Sequence, residues 1–532
     1  MNDILIKNQK NIYRLAFWII LVMGCFFRIL WLGKVPGGVH PDEAFAGYEA
    51  YSMLKYGMDS WGYRLPVYFV SWGSGMNVLE SYMMMPFVAM LGLNEISIRI
   101  PQVMMAIVSI PAVYFLLRRT GKEKLALTGM FITAISPWHF MFSRWGCESN
   151  MCPAMLLLGS LFLLDAMSRI LAKDKGIIRS FILSAVFFGL DLYCYAATWI
   201  LVAAILIVWA AYFLFYCRAN GIKFNKVAVQ GIAIFACILF VMALPLLLFI
   251  MVNLEIISEI RSFISIPKMI VFRGDEVMDT SVLWGRIRYL AHILVAQEDG
   301  RPWNAISPYG LFYTKISIPI ILLGVVKVLI QVVKDFKEKK LSYSFILVIY
   351  ASIATVLVIV QRVDIISSNY LQICLIIFWA AGVYAFAHLC KGWIYRVVIL
   401  AYIIAFGLFL NTYFTSFAQS INEAQMFGAR DAILTARWLY DSGNVSGIAL
   451  PDSISHAQAL FYTKYPVDEY MESVQWKVFP DRYLAAKSFG PFVWDADEFD
   501  ESMIHIIKAE QVVDYEEHGF VIMQFDDAYL AY

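Results

Sequence analysis

The sequence predicts an α-helical polytopic membrane protein of about 11 transmembrane helices, each needing roughly twenty apolar residues to cross a bilayer, followed by a small α/β domain. Three observations carry that prediction. Of 532 residues, 61% are hydrophobic and only 16% are charged, whereas a soluble domain carries about a quarter. The apolar runs are separated by short connections, and Lys and Arg crowd into every second one, the asymmetry that marks cytoplasmic loops. After about Thr415 the hydropathy falls, and turn signals such as Asp441-Ser442-Gly443 alternate with short apolar runs, among them Gly447 to Leu450 and Phe520 to Phe525. That alternation is the mark of strands and turns. The expected division is a membrane domain over residues 1–414, with long loops at 33–95 and 253–309, and a soluble domain over 415–532.

Taken in order, Lys7, Lys10 and Arg14 precede the apolar run Leu15 to Leu32. No small-residue cleavage site ends that run, so it reads as a retained signal anchor. Asn77 to Leu93 is apolar but short and contains Pro86. Counting it as a span would invert every later loop against the positive-inside bias, so it is expected to lie in the interface. Spans then follow at Ile96 to Leu117, Leu125 to Phe142 and Met151 to Ala166, and onward to about Tyr413. The clusters Arg118 to Lys124, Arg169 to Arg179, Arg218 to Lys226, Lys334 to Lys340 and Lys391 to Arg396 all fall on one side, while the short connections opposite hold Arg144 and Arg362. The expected arrangement is a multi-pass protein of the cell membrane with a cytoplasmic N-terminus. Both long loops and the C-terminal domain then share the outer face.

Forty-two basic and 41 acidic residues leave a formal charge of +1, and no Walker-type loop or internal repeat is present. No nucleic-acid partner is expected. The eight cysteines lie mostly in apolar runs and make no disulfide framework. Asn444-Val445-Ser446 matches a glycosylation sequon, a three-residue match to which nothing is assigned.

An outward-facing enzyme has no access to cytoplasmic nucleotide donors, so its activated substrate would be borne on lipid. The first loop offers His40-Pro41-Asp42-Glu43-Ala44, two adjacent carboxylates after a proline. They open a helix whose Ala44, Phe45, Tyr48, Tyr51 and Leu54 recur at helical spacing. Acid in a first helical turn also suits the exposed amides and the macrodipole, so Asp42 and Glu43 read either as chemistry or as a helix start. In Ser143 to Asn150, Arg144 either binds a phosphate or pairs with Glu148 to close a helix hairpin. Glu80 either reaches a site or faces water, and Arg99 touches lipid phosphate or anchors its span. The central loop supplies Arg288, His292 and Arg301. Arginine can hold a phosphate bidentately, and a histidine or carboxylate can hold a divalent ion. Flanked by Leu290, Ala291 and Ile293, His292 fits a packed histidine better than a ligand.

His40-Pro41-Asp42-Glu43-Ala44, Arg99-Ile100-Pro101, Ser136-Pro137-Trp138-His139 and Ser143-Arg144, in that order, resemble the polytopic GT-C glycosyltransferases. Within them the protein O-mannosyltransferase and aminoarabinose lipid A transferase group is closest. The likeness covers about the first 170 residues and reappears in Asp299-Gly300-Arg301-Pro302-Trp303-Asn304. It implies a glycosyltransferase, moving a hexose or pentose from a polyprenyl-phosphate donor to a glycan, lipid or protein hydroxyl, with inversion. It also implies that Asp42 activates the acceptor, with Glu43 beside it. Arg144, Arg288 and Arg301 are then candidates for the donor phosphate, with Glu80, Arg99, Glu148 and His292 in support. Where the aminoarabinose branch has a glutamate-lysine pair linked to metal and donor binding, this chain has Met76-Asn77. No cofactor is firmly implied; a divalent metal ion is the one candidate. The alternatives are a transporter or flippase of lipid-linked glycan, or a non-catalytic envelope-assembly protein.

Overall fold

A computed structural model describes residues 2–272, 282–361, 363–389, 392–443 and 445–532, so Arg362, Lys391 and Asn444 lie outside the described residues, as does the Lys7 side chain. Helix α1 (Asn2–Ile29) leads into the first long loop, which carries α2 (Pro41–Tyr56) and α3 (Leu79–Leu91). Then come α4 (Glu95–Arg118), α5 (Glu123–Ile135), α6 (Pro137–Phe142), α7 (Cys152–Ala172), α8 (Ile177–Asp191), α9 (Ala197–Ala219) and α10 (Lys226–Asn253). The central loop contains α11 (Leu283–Ala296), and α12 (Ser317–Lys337), α13 (Tyr343–Val360), α14 (Gln372–Ala385) and α15 (Trp393–Phe414) complete the bundle.

Among the described residues nine helices are long and apolar enough to cross a membrane. Two of the predicted spans are shorter. Helix α5 has 13 residues and α8 has 15. Helix α5 stops where Pro137 disfavours a helical residue before it, and the Ser136 side chain accepts the His139 N–H to start α6. At 13 residues, with Pro86 inside, α3 falls short of a bilayer. Helices α14 and α7 fill the interior, while α1 and α10 face outward. Helices α12 and α14 cross at Gly324 and Gly382, where a Cβ on either would overlap the backbone of the other; small residues permit such close approach.

The basic connections gather at one end of the bundle, tied by Lys122 to Gln331, Ser168 to the Tyr343 hydroxyl, and the Ser342 N–H to Tyr212. The first loop lies at the other end with the C-terminal segment, which begins with α16 (Ser416–Gln425) and α17 (Ala429–Asp441). Its seven strands are β1 (Gly447–Ala449), β2 (Gln475–Trp476), β3 (Ala486–Phe489), β4 (Phe492–Val493), β5 (Met503–Lys508), β6 (Ile522–Phe525) and β7 (Ala528–Ala531). They form one sheet in the order β2-β3-β4-β1-β5-β7-β6, with β1 parallel to β4 and β5 and the other pairs antiparallel. Helices α18 (His456–Thr463), α19 (Val467–Ser473) and α20 (Val512–Glu517) flank it.

One face of this sheet has a small cluster of its own, Ile507, Tyr515, Phe520 and Ala531, but its larger core is shared. Ala44, Phe45, Tyr48 and Phe69 of the first loop share one cluster with Ile448, Leu460, Phe461 and Ile504. The Tyr48 hydroxyl donates to the Tyr465 carbonyl at 2.6 Å, and Gln458 donates to the Val39 carbonyl at 2.8 Å. Gly47 makes the approach possible, because a Cβ there would stand 2.8 Å from Ile98 and 3.0 Å from Phe461. A boundary at residue 414 therefore separates in sequence what packs together in space.

Candidate active site at the start of α2

His40 caps α2 with extended backbone and a ring nitrogen that accepts the Asp42 N–H, while Glu43 accepts the His40 N–H in return. This reciprocal box satisfies two amides that the helix cannot, and Pro41 suits a first turn where no N–H is needed. From this shared turn the two acids diverge. Glu43 is fully buried and takes the Arg99 Nε at 2.9 Å, an Arg99 terminal nitrogen at 3.0 Å and the Gly146 N–H at 2.7 Å. Arg99 spends its other N–H groups on the Leu32, Pro36 and Gly38 carbonyls at 3.2, 2.8 and 2.8 Å. A buried pair with every lone pair and proton engaged is tolerated, and it fixes α2 against α4 and the incoming chain.

Asp42 is the open one, its side chain 42% exposed. One oxygen accepts the Trp72 indole N–H at 3.0 Å, and the other lies 3.6 Å from the His40 ring. Trp72 is placed from the C-terminal segment. Its carbonyl accepts the Leu484 N–H at 2.8 Å, and its ring meets His456 edge to face at 5.0 Å. Burial lowers the His456 pKa to about 4, so His456 is a neutral wall at physiological pH. Glu80 is buried beneath, and among the described residues neither of its oxygens has a hydrogen-bond partner. Burial, then Glu43, Glu148 and Asp42, push its carboxyl well above the usual range. That environment favours the protonated, uncharged form of Glu80 beside Asp42. Glu148 accepts the Asn77 N–H, and the Cys147 thiol is driven up by burial and the same carboxylates.

Residues 74–249 match the family of dolichyl-phosphate-mannose-protein mannosyltransferases. Over 98% of both chains the structure is similar to ArnT from Cupriavidus metallidurans in the apo state, with a TM-score of 0.54 and 11% identity. The chain has the GT-C fold. Over 97% of both chains it is also similar to ArnT from the same organism bound to undecaprenyl phosphate, with a TM-score of 0.53 and 10% identity. No curated protein sequence matches it.

Within this fold the predicted arginines divide. Arg144 is not available to a phosphate: it is fully buried and donates to the carbonyls of Phe27, Arg28, Leu30 and Val35 at 2.6–3.0 Å. It closes the C-terminus of α1, whose last carbonyls have no helical partner. Arg99 does not face head groups, being locked on Glu43, and the expectation that Glu80 faces water is corrected by its burial. Arg288 is exposed on α11, over the Trp284 ring. His292 is also exposed, stacked on Tyr289, so the packed reading is corrected too. Arg301 alone of the three donor-phosphate candidates is tied to the Asp42 turn. It is 38% exposed and 3.9 Å from Asp364, on a loop that Asp299 shapes by accepting the Arg301 and Ile365 N–H groups and the Asn304 side chain. That loop sets Trp303 against one side of His40, with Trp145 on another, each ring 6.2 Å away. Between them lies a small cleft also lined by Cys147 and Asn304. Among the described residues no group of three or more His, Cys, Asp or Glu side chains could hold a metal ion.

Trp72, the Gly146 N–H and His456 were not among the predicted site residues. The aromatic richness of the first loop was a signal for Trp72. Nothing local marks His456, which arrives from the far end of the chain.

Proposed function

We propose that this chain is a membrane glycosyltransferase that moves a sugar from a polyprenyl-phosphate-linked donor to an acceptor hydroxyl, with inversion, and that Asp42 is its base. The observation that carries the reading is the split between two adjacent acids. Glu43 is consumed by the scaffold, whereas Asp42 is held by one N–H and keeps an open face. In the reaction the acceptor oxygen bonds to the anomeric carbon and gives its proton to Asp42. The bond from that carbon to the phosphate oxygen breaks, and the polyprenyl phosphate leaves with the electron pair. A positioned carboxylate contributes about 10²–10⁴-fold. Arg301, on the loop that carries Trp303 to the His40 cleft, is the candidate to meet the leaving phosphate, where a preorganised cation stabilises developing charge. A glycan, lipid or protein hydroxyl is the acceptor, and a hexose or pentose the transferred group.

The positive-inside bias supports a cytoplasmic side for the basic end of the bundle and an outer side for the Asp42 end. The ArnT structure with undecaprenyl phosphate and the match to a dolichyl-phosphate-mannose family support a lipid-borne donor. The test is Asp42→Asn in reconstituted membranes supplied with candidate polyprenyl-phosphate sugars. Product formation is expected to fall about 10²–10⁴-fold while the melting temperature holds; full turnover at unchanged protein level overturns the assignment.

A further inference from the structure

At the basic end of the bundle, about 30 Å from Arg99 along α4 at 1.5 Å per residue, a cavity of about 460 Å³ opens between α4, α7 and α8. Three arginines line it, Arg119, Arg169 and Arg179, against one carboxylate, Asp165. Asp165 is fully engaged: it accepts from Arg119 at 2.8 Å, from the Arg169 Nε at 2.6 Å and from the Ser180 hydroxyl at 2.5 Å. Arg169 reaches a second acid, Asp174, at the rim, but Lys173 and Lys175 flank that acid in the same turn. Three arginines therefore line the cavity against one carboxylate, with Asp174 at the rim beside two exposed lysines. The excess is free to act. The Arg119 Nε is buried and has no hydrogen-bond partner among the described residues, and Arg179 is exposed at the cavity wall. Helix α8 starts here with Gly176 as its cap and no side chain over its first amides, which adds partial positive charge on the same side.

The remaining wall is apolar. Phe115 is 47% exposed on the outer surface of α4, and Phe162 stacks on Phe187 of α8. A cationic pocket at the end of membrane-spanning helices, continuous with an aromatic slot, fits a molecule with an anionic head and a hydrocarbon tail. Such basic pockets between spans attract acidic head groups.

We propose that this cavity binds the phosphate of an anionic membrane lipid, at a site separate from Asp42. The lipid would brace α4, α7 and α8 together. The purified full chain, reconstituted in phosphatidylcholine vesicles with and without phosphatidylglycerol, tests this by native mass spectrometry of retained lipid and by melting temperature. Phosphatidylglycerol is expected to be retained in preference to phosphatidylcholine and to raise the melting temperature. Arg179→Ala is expected to weaken retention about fivefold, Arg179→Lys to restore most of it, and Asp42→Asn to leave it unchanged, which separates this site from the transfer reaction. Equal retention of the two lipids, or retention indifferent to Arg179→Ala, overturns the proposal. So does inorganic phosphate that protects lipid-free protein as well as phosphatidylglycerol does, because it would make the ligand a soluble anion.

Discussion

Arg99 and Arg144 at one end of the bundle and Arg119, Arg169 and Arg179 at the other carry the same guanidinium in opposite states of saturation. Arg99 finds a carboxylate and three carbonyls, and Arg144 finds four carbonyls and keeps only a buried Nε–H without a partner among the described residues, so both are sealed from a ligand by burial. At the basic end the acceptors run out first. The carboxylates mirror this: Asp165 is spent on its neighbours, whereas Asp42 is left open. The supply of acceptors around a charged group, rather than the group itself, decides whether it builds the fold or serves a ligand.

The largest effect belongs to Arg99→Ala. It strands the Glu43 carboxylate in the interior and is expected to cost about 3–5 kcal/mol, read as a lower melting temperature or lost protein. Glu43→Ala added to it should recover part of the loss. Arg144→Ala leaves the end of α1 without its donor and should cost about 1.5–3 kcal/mol, with Arg144→Lys recovering only a fraction. At the other end Arg179→Ala should stay within about 0.5 kcal/mol in lipid-free detergent; a penalty as large as that of Arg144→Ala would abolish the contrast.

Asp59 extends the comparison to an acid with no arginine bound to it. Burial pushes its carboxyl from 3.8 up to about 7, so the folded chain keeps a proton that the unfolded chain releases. The stability this group contributes is complete below the unfolded value and is lost as pH rises through about 7. Asp59→Asn should flatten the dependence of melting temperature on pH over that window. A smaller change is expected from Trp72→Phe, which keeps the ring against His456 and deletes the N–H to Asp42. Stability should shift by about 1 kcal/mol, while turnover falls with the donor KM unchanged.

The bundle and the α2 start were legible because both depend on local pattern. Apolar length marks spans, and Pro41 followed by two acids marks a helix opening. What Arg99 and Arg144 do was not legible, since apart from Glu43 their acceptors are backbone carbonyls supplied by Leu32, Pro36, Gly38, Val35 and the end of α1, which carry no side-chain signature. The burial of Glu80 was hidden because α3 is apolar on nearly every face, so its own sequence does not say which side meets water. The short apolar runs at Gly447 and Phe520 pointed to strands, but their sharing a core with Tyr48 depends on Gly47 admitting Phe461, a contact between residues over four hundred positions apart.

The bond from Tyr48 to Tyr465 spans 417 residues. A ribosome adding about 5–20 residues per second takes on the order of 20–80 s to cover that interval. Throughout it, the nascent helix bearing Asp42 stands without the His456 wall and without the Leu484 segment that orients Trp72. Completion of the polypeptide is thus a condition for organising that carboxylate, and a prematurely terminated chain would enter the bilayer without it.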